Sequence, residues 1–224
     1  MRVKISDDIP KKFKAAILVE QNKPLVIDEI SMPQEISYGQ VVVKISCTGI
    51  CGSQLGEISG AKGPDAYLPH LLGHEAHAKV AQVGPGVKHV APGDSVVMHW
   101  RRGIGEDAEA AKYQWQGKQV NSGGVTTFNE WAIVSGNRLT KVPQDLNPEV
   151  AALFGCAVTT GLGVIENNAQ VRMGEGVLIY GAGGVGLNMI QGAALSGAYP
   201  IVAVDLFDNR LELAKEMGAT HCFN

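Results

Sequence analysis

The stretch VLIYGAGGVGLNMIQGAALSGAYPIVAVD, residues 177–205, decides the fold of the C-terminal part of the chain. VLIY is a short apolar run bounded by glycine, the mark of a buried strand. VGLNMIQGAALSG reads as a helix and PIVAVD as a second strand. DNRLELAKEMG continues as a second helix, with Asp208 at its start and Gly218 as its stop, and THCFN opens a third strand. This alternation is one half of a doubly wound parallel sheet.

Between the first strand and its helix lies GAGGVG (181–186), a match to G-x-G-x-x-G. Alone it is weak, because a chain with 28 glycines uses the same residues for any tight turn. The context adds a mechanism. Gly181 permits the turn, Gly183 lets a pyrophosphate approach the backbone, and Gly186 lets the helix lie close on the sheet. The helix N-terminus then offers N–H donors and the positive end of its dipole. Asp205 ends the second strand, where a carboxylate accepts ribose hydroxyls and repels a 2′-phosphate. The expected cofactor is NAD rather than NADP, although Arg210 lies within reach of the ribose edge and softens that preference. The plain alternative for Asp205 is a polar strand end or a helix cap.

Upstream the texture is different. FKAAILV (13–19), LVIDEI (25–30), VVVKIS (41–46), EAHAKVAQVG (75–84), SVVMHW (95–100) and FNEWAIV (128–134) are short β-branched runs separated by turns such as GPG (84–86) and PGD (92–94). They predict a barrel or sandwich. Near Pro148 the pattern turns helical, with Asn147 or a neighbour as cap and a helix expected through EVAALFGCAVTTGLGVIENN.

Composition excludes several classes. At 45% hydrophobic and 18% charged, the 224 residues suit a soluble globular chain. A net charge of −3 and the lack of a long basic run leave no footprint for nucleic acid. No apolar run approaches the roughly 20 residues of a membrane span, and MRVKISDDIPKK lacks the apolar core of a secretory signal. Four cysteines (47, 51, 156 and 222) are too few and too scattered for a disulfide scaffold, so a cytoplasmic setting is expected.

Cys51 in GICGSQLGE (49–57), His74 and Glu75 in LLGHEAH (71–77) and Cys156 supply ligand types suited to zinc. Taken singly, each also reads as ordinary structure: a small buried thiol, a loop histidine, a helix packing residue. Their separations exceed any local metal motif, so only a fold can gather them.

GICGS (49–53), GHE (73–75), PGD (92–94), FGCAVTTGLG (154–163) and GAGGVG (181–186) follow the order and spacing of the zinc-dependent medium-chain alcohol dehydrogenases. The chain resembles that family over essentially its whole length. The resemblance implies a mixed α/β plus β architecture: a GroES-like β-barrel catalytic domain, placed at residues 1–158, then the N-terminal half of an NAD-binding Rossmann domain at 159–224. It implies a catalytic zinc on Cys51, His74 and Cys156, with Glu75 as a close or alternating ligand and one position open for substrate oxygen. The zinc would acidify an alcohol whose hydride passes to the nicotinamide. Ser53 matches the hydroxyl that receives the proton, Thr160 and Val185 match positions holding the nicotinamide, and Trp100 falls where a bulky side chain walls the substrate pocket. Ser53, Thr160 and Trp100 read equally well as a turn hydroxyl, a helix hydroxyl and a core aromatic.

Three departures stand out. Gln54 replaces an acidic residue that orients the ligand histidine, which leaves the site one negative charge poorer. Gly56 and Glu57 stand where some members place a relay histidine. The family's structural-zinc cysteines have no counterpart, since residues 101–127 contain none, so one catalytic zinc and no structural zinc are expected. His70 and His77 are read as solvated, Arg101 and Arg102 as a solvated pair, and Cys47, Cys222, His89, His99 and His221 as structural.

Family members continue well past this chain's third Rossmann strand, so the 224 residues are expected to be a fragment of a longer homodimeric or homotetrameric enzyme, and inactive alone. The favoured activity is hydride transfer between NAD and an alcohol, polyol or sugar-like hydroxyl or carbonyl. The rivals are a zinc-free NADPH reductase of the same superfamily and a non-catalytic module binding zinc or nucleotide. No nucleic acid or membrane partner is expected.

Overall fold

The computed structural model describes all 224 residues and divides them into two compact units, Met1–Gly155 and Cys156–Asn224. In the first unit the order is β1 (Arg2–Lys4), β2 (Lys12–Leu18), β3 (Val26–Ser31), β4 (Glu35–Ser37), β5 (Gln40–Thr48), α1 (Gly52–Ile58), β6 (His70–Leu71) and β7 (Glu75–Val83). Then come β8 (Ser95–His99), β9 (Tyr113–Trp115), β10 (Lys118–Val120), β11 (Trp131–Ser135), β12 (Leu139–Lys141) and α2 (Pro148–Leu153). Two five-stranded antiparallel sheets, ordered β10-β9-β3-β2-β6 and β11-β5-β7-β8-β12, form a nearly closed barrel. Phe128–Glu130, expected as strand, instead bend against β2. Ala16 N–H donates to the Phe128 carbonyl at 2.8 Å there, which joins the sheets.

β5 shows why the barrel closes. Val41 and Val43 face one apolar core, with Ala76, Val96 and Met98, while Val42 faces the other, with Phe13, Ile17, Ile30 and Ile133. Successive side chains of a strand point to opposite faces, and here both faces are covered. Burying each such aliphatic side chain contributes about 1.5–3 kcal/mol. Tyr113 is fully buried edge-to-face on Phe13, and its hydroxyl accepts the Ile133 N–H at 2.7 Å. Residues 101–127, the lobe without cysteines, carry the β9–β10 hairpin.

The second unit contains α3 (Ala157–Gly163), a π-helical turn (Val164–Ala169), β13 (Val177–Tyr180), α4 (Gly184–Leu195), β14 (Ile201–Val204), α5 (Asp208–Glu216) and β15 (His221–Phe223). The three strands are parallel in the order β13-β14-β15. Ile179, Ile201 and Ala203 from the sheet meet Ile190, Ala193, Leu211 and Ala214 from α4 and α5. This is a partial Rossmann fold.

The helix expected through residues 149–168 is broken. Asn147 caps α2 and Pro148 opens it, as expected, but the helix stops at Leu153. Cys156 has φ −143° and ψ −74°, outside helical geometry, before α3 begins. Gly155 sits at the break, in close approach to two strands. A Cβ there would overlap the Met98 carbonyl and lie 2.8 Å from the Glu75 Cα, so the chain lies flat against β7 and β8. No helix is long and apolar enough to cross a membrane.

Candidate functional site

Cys51 lies in the turn that leaves β5 and forms the N-cap of α1. His74 immediately precedes β7, whose strand register buries Glu75 and holds the ring in place. Cys156 directly follows Gly155, itself pressed on Glu75 and Met98. Their ligand atoms lie within 4.8 Å of one another, with Cys156 buried and the other two half-buried. Three residues separated by 23 and 82 positions thus form one cluster.

The histidine ring has a defined role. Its Nδ1 is 2.5 Å from Gln54 Nε2, whereas Nε2 is buried and meets no protein hydrogen-bond partner. A buried ring nitrogen without a partner is costly, and a cation among two cysteine sulfurs would satisfy it. Burial holds the His74 imidazole below its ordinary value of 6.5, with Lys62 pushing the same way and Glu57 opposing. The neutral ring is the form that ligates metal. Two thiol sulfurs and one imidazole are a zinc-type donor set. The residues therefore fit one zinc ion.

Glu75 is buried but does not belong to this cluster. Its carboxylate faces Gly49, where a Cβ would lie 2.6 Å from Cδ. Ser53, in the first turn of α1, has a buried Oγ without a hydrogen-bond partner. Trp100 follows β8 and is 47% exposed; its carbonyl accepts from Arg138.

A cavity of about 720 Å³ opens beside His74, lined by Gln54, Glu57, Lys62, Tyr67, His70 and Leu72 among others. Asp65 and His70 form a mostly buried pair at 2.6 Å, and Lys62 meets Glu57 at 2.9 Å. The sequence carried no sign of either pair. His70 is therefore not a solvated histidine. Nor is His77, which is 3% exposed in β7 with neither ring nitrogen partnered. Of the expected solvated pair, Arg102 binds Asp107 at 2.9 Å.

In the second unit Gly181 leaves β13 at φ +90° and Gly183 is the N-cap of α4. A Cβ on Gly186 would overlap the Gly181 carbonyl, so the helix lies on the turn as closely as glycine allows. Val185 sits in the first turn of α4, and Thr160 lies half-buried in α3 with its N–H on the Cys156 carbonyl at 2.9 Å. Asp205 Oδ2 accepts the Ala182 N–H at 2.7 Å and Oδ1 the Phe207 N–H at 3.0 Å. Arg210 Nη1 stands 3.6 Å from the same carboxylate, with its guanidinium 4.8 Å from the centre of the Phe207 ring. The Ala182 N–H, followed by the Phe207 N–H and Arg210, outweighs desolvation and holds the Asp205 carboxyl below its ordinary 3.8. Beside this carboxylate lies a cavity of about 330 Å³.

Comparison with known proteins places both units in one family. Residues 37–144 match the alcohol dehydrogenase GroES-like domain, and residues 184–224 match the zinc-binding dehydrogenase family. S-(hydroxymethyl)glutathione dehydrogenases of Synechocystis sp. and of Photobacterium damsela subsp. piscicida are 35% and 36% identical, each over 95% of this chain. The chain spans 64% of the length of these relatives. Among solved structures, an alcohol dehydrogenase zinc-binding domain protein from Burkholderia ambifaria superposes with a TM-score of 0.85 at 28% identity. Benzyl alcohol dehydrogenase from Acinetobacter calcoaceticus does so with 0.82 at 28%; both matches cover 95% of this chain and 64% of the other. Barrel, partial Rossmann sheet and metal-ligand cluster therefore lead to one conclusion: the chain belongs to the zinc-dependent medium-chain alcohol dehydrogenase family.

Proposed function

We propose that the protein is an NAD- and zinc-dependent oxidoreductase acting on a hydroxyl-bearing small molecule, an alcohol, polyol or sugar-like compound. The observation that carries this reading is the Cys51–His74–Cys156 cluster, with His74 Nε2 buried and facing no protein partner. Bound there, one zinc supplies Lewis acidity that lowers the pKa of a hydroxyl, and NAD supplies the hydride acceptor.

The chain's own residues do the rest. Ser53 Oγ, buried and unpartnered, takes the hydrogen bond of the substrate proton. Asp205 already accepts two backbone N–H groups, yet a carboxylate offers about four acceptor positions. With Arg210 also against Oδ2, the remaining capacity serves the ribose hydroxyls of NAD, and the negative charge disfavours a 2′-phosphate. Gly181, Gly183 and Gly186 keep the turn clear for the pyrophosphate, while Thr160 and Val185 serve the nicotinamide. Trp100 is assigned to the substrate side, and Glu75, outside the Cys51–His74–Cys156 group with its carboxylate facing Gly49, would act as a ligand only after a side-chain shift. The larger cavity sets Leu71, Leu72 and Tyr67 beside the Lys62–Glu57 and Asp65–His70 pairs, a mixed lining that does not by itself select among hydroxyl-bearing substrates. The S-(hydroxymethyl)glutathione named for the relatives is one such hydroxyl-bearing adduct.

The test is reduction of NAD and of NADP by the full-length protein against alcohols, polyols and hydroxymethyl thiol adducts, with zinc measured in the same preparation. NAD-linked turnover that disappears with the zinc is expected. Turnover only with NADP(H), unaffected by zinc removal, would establish the zinc-free reductase instead. Stoichiometric zinc without turnover would establish a binding module.

A further inference from the structure

We infer that Gln54 is a positioning residue that holds the zinc affinity of this site below what its ligands would otherwise give, because one amide oxygen faces two hydrogen-bond donors. The inference rests on the zinc reading above. Gln54 is 3% exposed in α1, and its side chain meets both neighbouring ligand residues. Oε1 accepts the Cys51 N–H at 3.2 Å, and Nε2 lies 2.5 Å from His74 Nδ1.

Consider what a metal on His74 Nε2 demands. The neutral ring carries one proton, and ligation through Nε2 places that proton on Nδ1. Nδ1–H is then a donor pointing at an amide NH2 group, which is also a donor. Turning the amide over presents Oε1 to Nδ1–H but brings the NH2 against the Cys51 N–H. In either orientation one donor faces another, since an amide has a single acceptor atom. Without metal, the other ring tautomer removes the conflict: Nδ1 accepts from Gln54 Nε2, Cys51 N–H donates to Oε1, and both contacts are satisfied. Gln54 therefore favours the tautomer in which Nε2 carries the proton and cannot ligate. A carboxylate at this position would accept from both donors at once.

The experiment is zinc competition against a chelator of known affinity, on wild type, Gln54→Glu, Gln54→Met and Cys51→Ser. Metal partners of this kind change affinity by about 10–100-fold. Gln54→Glu is expected to bind zinc at least about tenfold more tightly than wild type. Because glutamate also adds charge, Gln54→Met isolates the amide: similar in length, neutral and unable to donate, it should bind zinc more tightly than wild type. Equal or weaker binding by Gln54→Glu or by Gln54→Met overturns the inference. Near-ultraviolet circular dichroism of the metal-free variants confirms folding, and if the buried glutamate prevents it, the methionine variant decides. Zinc uptake in wild type that is unchanged in Cys51→Ser, or absent from every variant, defeats the underlying ligand assignment and the inference with it.

Discussion

Asp205 Oδ2 accepts the Ala182 N–H at 2.7 Å, so the carboxylate ending β14 ties down the glycine turn that leaves β13. The residue expected to select NAD thus also shapes the loop expected to receive the pyrophosphate. Asp205→Ala removes both functions. NAD affinity is expected to fall by about tenfold or more, with a lower melting temperature, measured by calorimetric titration and thermal unfolding. Unchanged NAD affinity would exclude the ribose role.

The same carboxylate sets a pH dependence. Its folded-state pKa lies below 3.8, chiefly because the Ala182 N–H favours the charged form. As pH falls, the unfolded chain takes up this proton first. The stability linked to Asp205 is therefore present above about 3.8 and is lost as pH drops through the folded value. In urea unfolding, the gap between wild type and Asp205→Asn should narrow between about pH 6 and about pH 3. A gap that holds or widens would contradict this.

Ser53 offers a separation of chemistry from metal binding. Its Oγ is buried without a partner, so removing it leaves no broken protein hydrogen bond. In the full-length enzyme, Ser53→Ala should lower kcat by about 10²-fold or more with zinc content unchanged. Loss of zinc together with activity would make Ser53 a structural residue.

Gly155 tests how Cys156 is aimed. A Cβ at this position would overlap the Met98 carbonyl and press on the Glu75 backbone. Gly155→Ala should cost about 1–3 kcal/mol of stability and reduce zinc occupancy, read by thermal unfolding and metal analysis. Wild-type occupancy in the variant would mean that Cys156 is held by other contacts.

The parallel sheet was legible in the sequence because buried strands and glycine turns alternate locally, as in VLIYGAGGVG. The longer barrel strands were legible as β-branched runs, but the short strands β1, β4, β6, β9, β10 and β12 were not, and Phe128–Glu130 look like strand but are drawn to β2 by a contact 112 positions away in sequence, between Ala16 and Phe128. The break at Gly155–Cys156 was hidden, since FGCAVTTGLG has no proline and the close approach at Gly155 is to Met98 and Glu75, on strands distant in sequence. The Asp65–His70 pair and the burial of His77 were invisible because single charged residues carry no periodic signal. Cys51, His74 and Cys156 stood out only as a resemblance of motifs; their approach is a product of tertiary packing around Glu75.

The most direct test of the zinc centre is X-ray absorption at the zinc edge on protein loaded with one equivalent of metal. The account predicts two sulfur ligands at about 2.3 Å and one imidazole nitrogen at about 2.0–2.1 Å, with one sulfur lost in Cys156→Ser. A sphere with fewer than two sulfurs in wild type, or one unaltered by Cys156→Ser, would contradict it.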